Sequence, residues 1–199
     1  MERIAIIGMG PIGVSIGLGL RRSGLARTEI VGMDRNRDAL SQAKALGALD
    51  EATGNLKSAL KGAQLVVLDT LLPDTRDMLE AMGPVLDKGC VVTDTGAAKI
   101  QVMEWAQGCL PAGTSFVGGR PILRQPLSRL DDADATLFDD SYYCVIPAES
   151  AEPEAVKSVV GMVETLGAKP LFLDAQEHDS YAAALVGLPV VLSAALVGS

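Results

Sequence analysis

The chain has 199 residues, 48% of them apolar and only 4% aromatic, with a net charge of −8. That suits one substantial domain, with at most a small appendage, whose core is built from Ala, Val, Leu, Ile and Met. The acidic balance without a basic run argues against a nucleic-acid binder; three scattered cysteines and one histidine suggest neither a disulfide framework nor a zinc site, and the plain reading is a reducing cytoplasm.

Short β-rich runs alternate with helical segments, the pattern of βαβ units on a mostly parallel sheet. Residues 3–8 (RIAIIG) read as a buried first strand. Residues 11–24 read as a helix with Pro11 in its first turn and Gly24 at its end. A second strand covers 29–34 and an amphipathic helix 37–47. Residues 63–70 form a buried strand, and 75–86 a helix that Gly83-Pro84 interrupts. A strand at 89–96 ends in polar residues; a helix at 98–107 and a short strand at 114–118 follow. The glycines, prolines, Arg120 and Arg124 of FVGGRPILRQP then read as a stiff cationic loop. Residues 141–147 are a strand, 152–167 a helix and 169–174 a last strand. From Ala175 onward one helix is expected, with Pro189 as the place for a bend.

Gly8-Met9-Gly10-Pro11-Ile12-Gly13 spells GxGxxG between the first strand and the first helix. In that context Gly8 permits the tight turn, Gly10 lets a pyrophosphate approach, and Gly13 lets helix and strand pack closely. The helix N-terminus offers free N–H groups to phosphate. Asp34 ends the second strand about twenty residues on, where a carboxylate grips adenosine ribose hydroxyls and favours NAD. Arg35 follows directly and can stack on adenine or meet a 2′-phosphate, so NADP stays open. Asp69, Thr70 and Leu71 end a central strand and are expected to line the cofactor crevice, with Thr95 and Gly96 near the nicotinamide ribose.

With those residues in place, the sequence resembles the prephenate and arogenate dehydrogenases of tyrosine biosynthesis. The likeness runs in order through IAIIGMGPIG, GAQLVVLDTLLPDT, VVTDTGAAK, FVGGRPI, DADATLFDDSYYCVIP and AQEHDSYAAALVGLPVV. It implies a Rossmann-type doubly wound domain over residues 1–174. Residues 175–199 would then be the first helix of a second, helical dimerisation domain. It also implies NAD(P)-dependent oxidation of a cyclohexadienyl alcohol, hydride leaving the ring carbinol carbon and carbon dioxide following.

The substrate half departs from the family pattern. The family's GGHP reads Gly118-Gly119-Arg120-Pro121 here, so Arg120 replaces a histidine base; the serine of TDxGSxK is Ala97; SHLPH reads Val186-Gly187-Leu188-Pro189-Val190, so its histidines are Gly187 and Val190. Arginine is a poor base, but its planar fork suits a carboxylate. Three residues remain as catalytic candidates: Arg120, Lys99 and His178. Lys99 is either a cation near the nicotinamide end or the partner of Asp94. His178 is either a surviving acid/base or a hydrogen-bonding residue that docks the last helix. Cys144 reads as packing within a buried strand. Residues 181–198 form an apolar run about as long as a membrane span. The reading adopted is a homodimer through that helix, with a small-molecule carboxylate substrate, no nucleic acid and no membrane.

Overall fold

The computed structural model describes residues 2–24, 28–123, 127 and 129–197; Arg124 and the end of the cationic segment lie outside them. Eight strands form one sheet in the order β3-β2-β1-β4-β5-β6-β7-β8. They are β1 (Glu2–Ile7), β2 (Thr28–Met33), β3 (Glu51–Thr53), β4 (Leu65–Leu68), β5 (Val91–Asp94), β6 (Ser115–Ile122), β7 (Tyr142–Pro147) and β8 (Lys169–Phe172). Pairing is parallel except between β6 and β7. The order through β6 is that of a Rossmann fold, with its switch point between β1 and β4.

Alternation along the strands splits the core in two, since successive side chains face opposite sides of a sheet. Ile4 and Ile6 pack with Val14, Ile16 and Leu20 of α1 (Pro11–Arg22), Leu40 and Ala43 of α2 (Arg37–Ala45), and Val159 and Val163 of α6 (Pro153–Thr165). Ala5 and Ile7 face the other way. They meet Leu60 of α3 (Leu56–Leu60), Leu79 and Met82 of α4 (Leu72–Met82), and Val102 of α5 (Ile100–Cys109). The interruption expected at Gly83-Pro84 is a 3-10 turn over Gly83–Val85 directly after α4.

One expectation is corrected and one refined. Arg120 is not in a loop: β6 continues to Ile122 and pairs antiparallel with β7, placing Arg120 opposite Cys144 and Pro121 opposite Tyr143. Beyond Val117 the strand has a partner on one side only, and a strand with one free side tolerates a residue lacking an N–H. The last helix comprises α7 (Ala175–Ala182), a π-helical stretch over Ala183–Gly187 and α8 (Leu188–Val197). Pro189 supplies no N–H to the helical ladder. The adjustment comes just before it, where Leu188 N–H donates to Ala183 O, five residues back. Asp174 and Glu177 form a capping box that starts α7.

Candidate functional site

The glycine turn and α4 enclose a cleft of about 540 Å³ at the carboxyl ends of β1 and β4, where open α/β sheets bind ligands. Gly8 has φ +102° and donates its N–H to Met33 O at 2.8 Å. A Cβ on Gly8 would lie 2.0 Å from Asp69 O, and one on Gly13 2.4 Å from Gly8 O, so both positions are closed to side chains. Gly10 caps α1 with no side-chain bond, and Pro11 follows at the first helical position. Pro11 has no N–H and Gly13 N–H is taken by Asp69 Oδ2, so within the first turn it is Ile12 that offers its N–H beside the cleft for an anion.

Asp34 sits beyond β2, its carboxylate held by Met9 N–H and Asn36 N–H, both at 2.7 Å. Asn36 in turn caps α2 by accepting from Asp38 N–H and Ala39 N–H. Arg35 is exposed on the cleft wall. Gly8, Met9, Gly10, Pro11, Ile12, Asp34, Arg35, Asp69, Thr70 and Leu71 all border this cleft, whereas Gly13, Thr95 and Gly96 do not. Asp74, Asp77 and Met78 of α4 also border it, unmarked by any motif; their signal was the helix that opens right after the strand end.

Asp69 is the unusual group here. Its Oδ2 accepts Gly13 N–H at 2.8 Å, and its Oδ1 accepts from Thr95 Oγ1 at 2.6 Å. A carboxylate therefore lies against the turn that would take phosphate. Burial pushes its pKa above the usual carboxylate range and the Asp34 charge adds to this, while the two hydrogen bonds oppose it.

A second constellation sits where β5 and β6 meet α7. Lys99 is fully buried with its Nζ 2.5 Å from Asp94 Oδ2 and 2.9 Å from Gly96 O. Of its two readings, the structure has the pairing with Asp94. Asp94 Oδ1 accepts Gly119 N–H at 3.0 Å, so the ion pair fixes the strand position just before Arg120. Arg120 Nη1 donates to Ala97 O at 3.3 Å. Asp179, which the sequence reading passed over, accepts the N–H groups of Lys99 and Ile100 at 2.8 and 3.0 Å and so caps α5 from another helix. Only its place beside His178 in the sequence hinted at a role. His178 is 3% exposed, its Nδ1 2.8 Å from Asp179 Oδ1. Arg120 and His178 border a smaller cavity of about 240 Å³, distinct from the glycine cleft. Cys144 borders it too and is otherwise buried.

Sheet order, switch-point cleft and glycine turn together define a Rossmann-type nucleotide-binding domain. The particular family follows from comparison: residues 16–171 match the model of the prephenate dehydrogenase nucleotide-binding domain, and the chain belongs to that family. The prephenate dehydrogenase of Lactococcus lactis is 32% identical across 99% of this chain and 53% of its own length. The chain spans about half the length of the curated relatives it matches. Among solved structures, prephenate dehydrogenase from Aquifex aeolicus, in complex with hydroxyphenyl propionate and NAD+, superposes with a TM-score of 0.92 at 26% identity, covering 100% of this chain and 68% of that one. Synechocystis arogenate dehydrogenase gives 0.88 at 29% identity, covering 99% and 68%.

Proposed function

We propose that this chain is the cofactor-binding part of an NAD-dependent dehydrogenase that oxidises the ring carbinol of a cyclohexadienyl carboxylate of the prephenate or arogenate kind. The observation that carries the reading is the glycine turn with Asp34 at the switch-point cleft, in a chain of this family. The turn fits a dinucleotide because its backbone closes tightly on the strand ends, leaving no room for side chains: a Cβ at Gly8 would strike Asp69 O and one at Gly13 would strike Gly8 O. Gly8 to Gly13 cradle the pyrophosphate, Asp34 takes the adenosine ribose hydroxyls, Asp69, Thr70 and Leu71 form the wall, and Thr95 and Gly96 approach the nicotinamide ribose. NAD supplies the hydride acceptor. The Asp34 carboxylate disfavours a 2′-phosphate, and Arg35 is the group that would meet one if NADP bound.

Arg120 takes the substrate carboxylate as a fork–fork pair. The presence of Arg120 and Ala97 in place of the family's histidine and serine also supports a second reading: another small hydroxy carboxylate is oxidised at the same place. The test is reduced-nicotinamide formation by the full-length protein from prephenate or arogenate with NAD or NADP. No turnover of either rejects the first reading; turnover of a different hydroxy acid selects the second; NAD binding with no turnover at all marks a catalytically impaired relative. Arg120→Ala is expected to raise KM about tenfold or more, the worth of a charge-assisted hydrogen bond, with NAD affinity unchanged. A KM within twofold of wild type would remove Arg120 from the substrate site.

Asp69 sets the pH dependence of cofactor affinity. Its neutral form accommodates the pyrophosphate and its ionised form repels it, so NAD affinity falls as pH rises through the raised pKa. Asp69→Asn keeps the shape and removes the charge. Calorimetry with NAD is expected to give a flat pH profile, with binding tighter than wild type by about tenfold on the alkaline side of the wild-type transition. A variant that tracks wild type across pH contradicts this account.

Residues 175–199 begin a helical dimerisation domain. Ala175–Leu196 is one helix, long and apolar enough to cross a membrane, with none of that apolar stretch buried. Leu185, Val190, Val191 and Leu196 are all more than 60% exposed, a face that needs cover. The start of the helix is tied to the start of α5 through Asp179, which favours a second subunit over a bilayer as that cover, in a cytoplasmic enzyme. Light scattering on the full-length protein is expected to give a dimer; a monomer at micromolar concentration would sink this arrangement.

A further inference from the structure

The cavity of about 240 Å³ bordered by Arg120, Pro121, Leu171, Leu173, His178 and Tyr181 holds one permanent cation and the only imidazole in the chain. His178 Nδ1 faces Asp179 Oδ1, and that carboxylate oxygen also accepts Lys99 N–H. A carboxylate that only accepts makes Nδ1 the donor, which leaves the lone pair on Nε2. Nε2 is buried and has no hydrogen-bond partner among the described residues. Buried polar atoms are nearly always met by a partner, and this one belongs to a residue that borders a cavity shared with Arg120. The position where the resemblance expects a histidine base holds that arginine instead.

We propose that His178 Nε2 takes the substrate's hydroxyl proton, with Asp179 holding the ring and Arg120 holding the carboxylate in the same cavity; this rests on the dehydrogenase reading above. The O–H proton passes to Nε2, the carbinol C–H hydrogen leaves with its electron pair for oxidised nicotinamide, and the carbinol carbon becomes a carbonyl. The imidazolium then loses its proton to solvent. Burial keeps the imidazole pKa below its usual range, the Lys99 and Arg120 charges add to this, and Asp179 opposes it, so the ring is neutral and able to accept at neutral pH. The charged and titratable groups around it are Asp179 and Tyr181 on its own helix, Lys99 before α5, Arg120 on β6 and Cys144 on β7.

The test uses the full-length protein with isotope-labelled histidine and nitrogen NMR, the His178 signals being assigned by their loss in His178→Gln. The tautomer protonated on Nδ1 is expected at neutral pH. Saturating 4-hydroxyphenylacetate, which has both carboxylate and hydroxyl, is expected to shift the Nε2 resonance, whereas acetate leaves it in place. In turnover, His178→Gln is expected to lower kcat/KM by about a hundredfold or more and to abolish the acidic limb of its pH profile, with NAD affinity unchanged. Failure of the protein to bind carboxylates or to turn over any hydroxy acid overturns the dehydrogenase reading. Arg120-dependent carboxylate binding with an unmoved Nε2 resonance, or with the Nε2-protonated tautomer, overturns the role of His178 alone and marks a ring that only docks the helix.

Discussion

Gly8→Ala is expected to cost about 3–5 kcal/mol of folding stability, the sum of backbone strain and overpacking, and to abolish measurable NAD binding. The added methyl would lie 2.0 Å from Asp69 O and 2.7 Å from Asp69 C. Both are backbone atoms of the strand end across the switch point, so relief requires β1 and β4 to part or the turn to leave φ +102°. Either movement displaces the Ile12 N–H beside the cleft. Gly24→Ala is the control: φ is also positive, at +71°, but nothing lies within 4 Å of the new Cβ. Only strain remains there, about 1 kcal/mol. Urea denaturation of the two variants separates the effects. A Gly8→Ala protein within about 1 kcal/mol of wild type would show that the turn yields more readily than its geometry implies.

The second large effect concerns the buried ion pair. Lys99→Met leaves Asp94 enclosed at 2% exposure without its cation, and is expected to cost about 3–5 kcal/mol. Adding Asp94→Asn removes the stranded charge while the amide oxygen still accepts Gly119 N–H. The double variant is therefore expected to recover about 2 kcal/mol or more relative to the sum of the singles. Simple additivity in denaturant melts would mean that the two side chains do not act as a pair. The lysine single variant is also expected to loosen Arg120, because the same carboxylate holds the strand at Gly119. Its KM is then expected to rise along with the loss of stability.

The glycine turn was legible because its information is local: three glycines, a strand before and a helix after fix the backbone within six residues. Asp34 was legible by spacing along the same βαβ unit. The length of β6 was not, because Gly118, Gly119 and Pro121 punctuate it as a loop would. Only the sheet shows that beyond Val117 β6 has a single neighbour and so no need for the missing N–H. β3 and α3, at three and five residues, are too short to show a period. Lys99 with Asp94 could be posed as an alternative because the two are five residues apart. Asp179 could not, since its amide partners lie 79 and 80 residues away, and nothing near it in the sequence marks it as their cap.

That distant cap bears on where the chain can be cut. A boundary after Asp174 looks natural on paper: a strand precedes it and a long helix follows. Yet the first turns of that helix carry the carboxylate on which the start of α5 rests and the imidazole beside it. A fragment ending at Asp174 would leave Lys99 N–H and Ile100 N–H facing water, next to the ion pair. The hydrogen bonds put the seam after Ala182, where the π-helical stretch begins. Anyone excising the nucleotide-binding portion for crystallisation or for domain grafting should take those eight further residues with it.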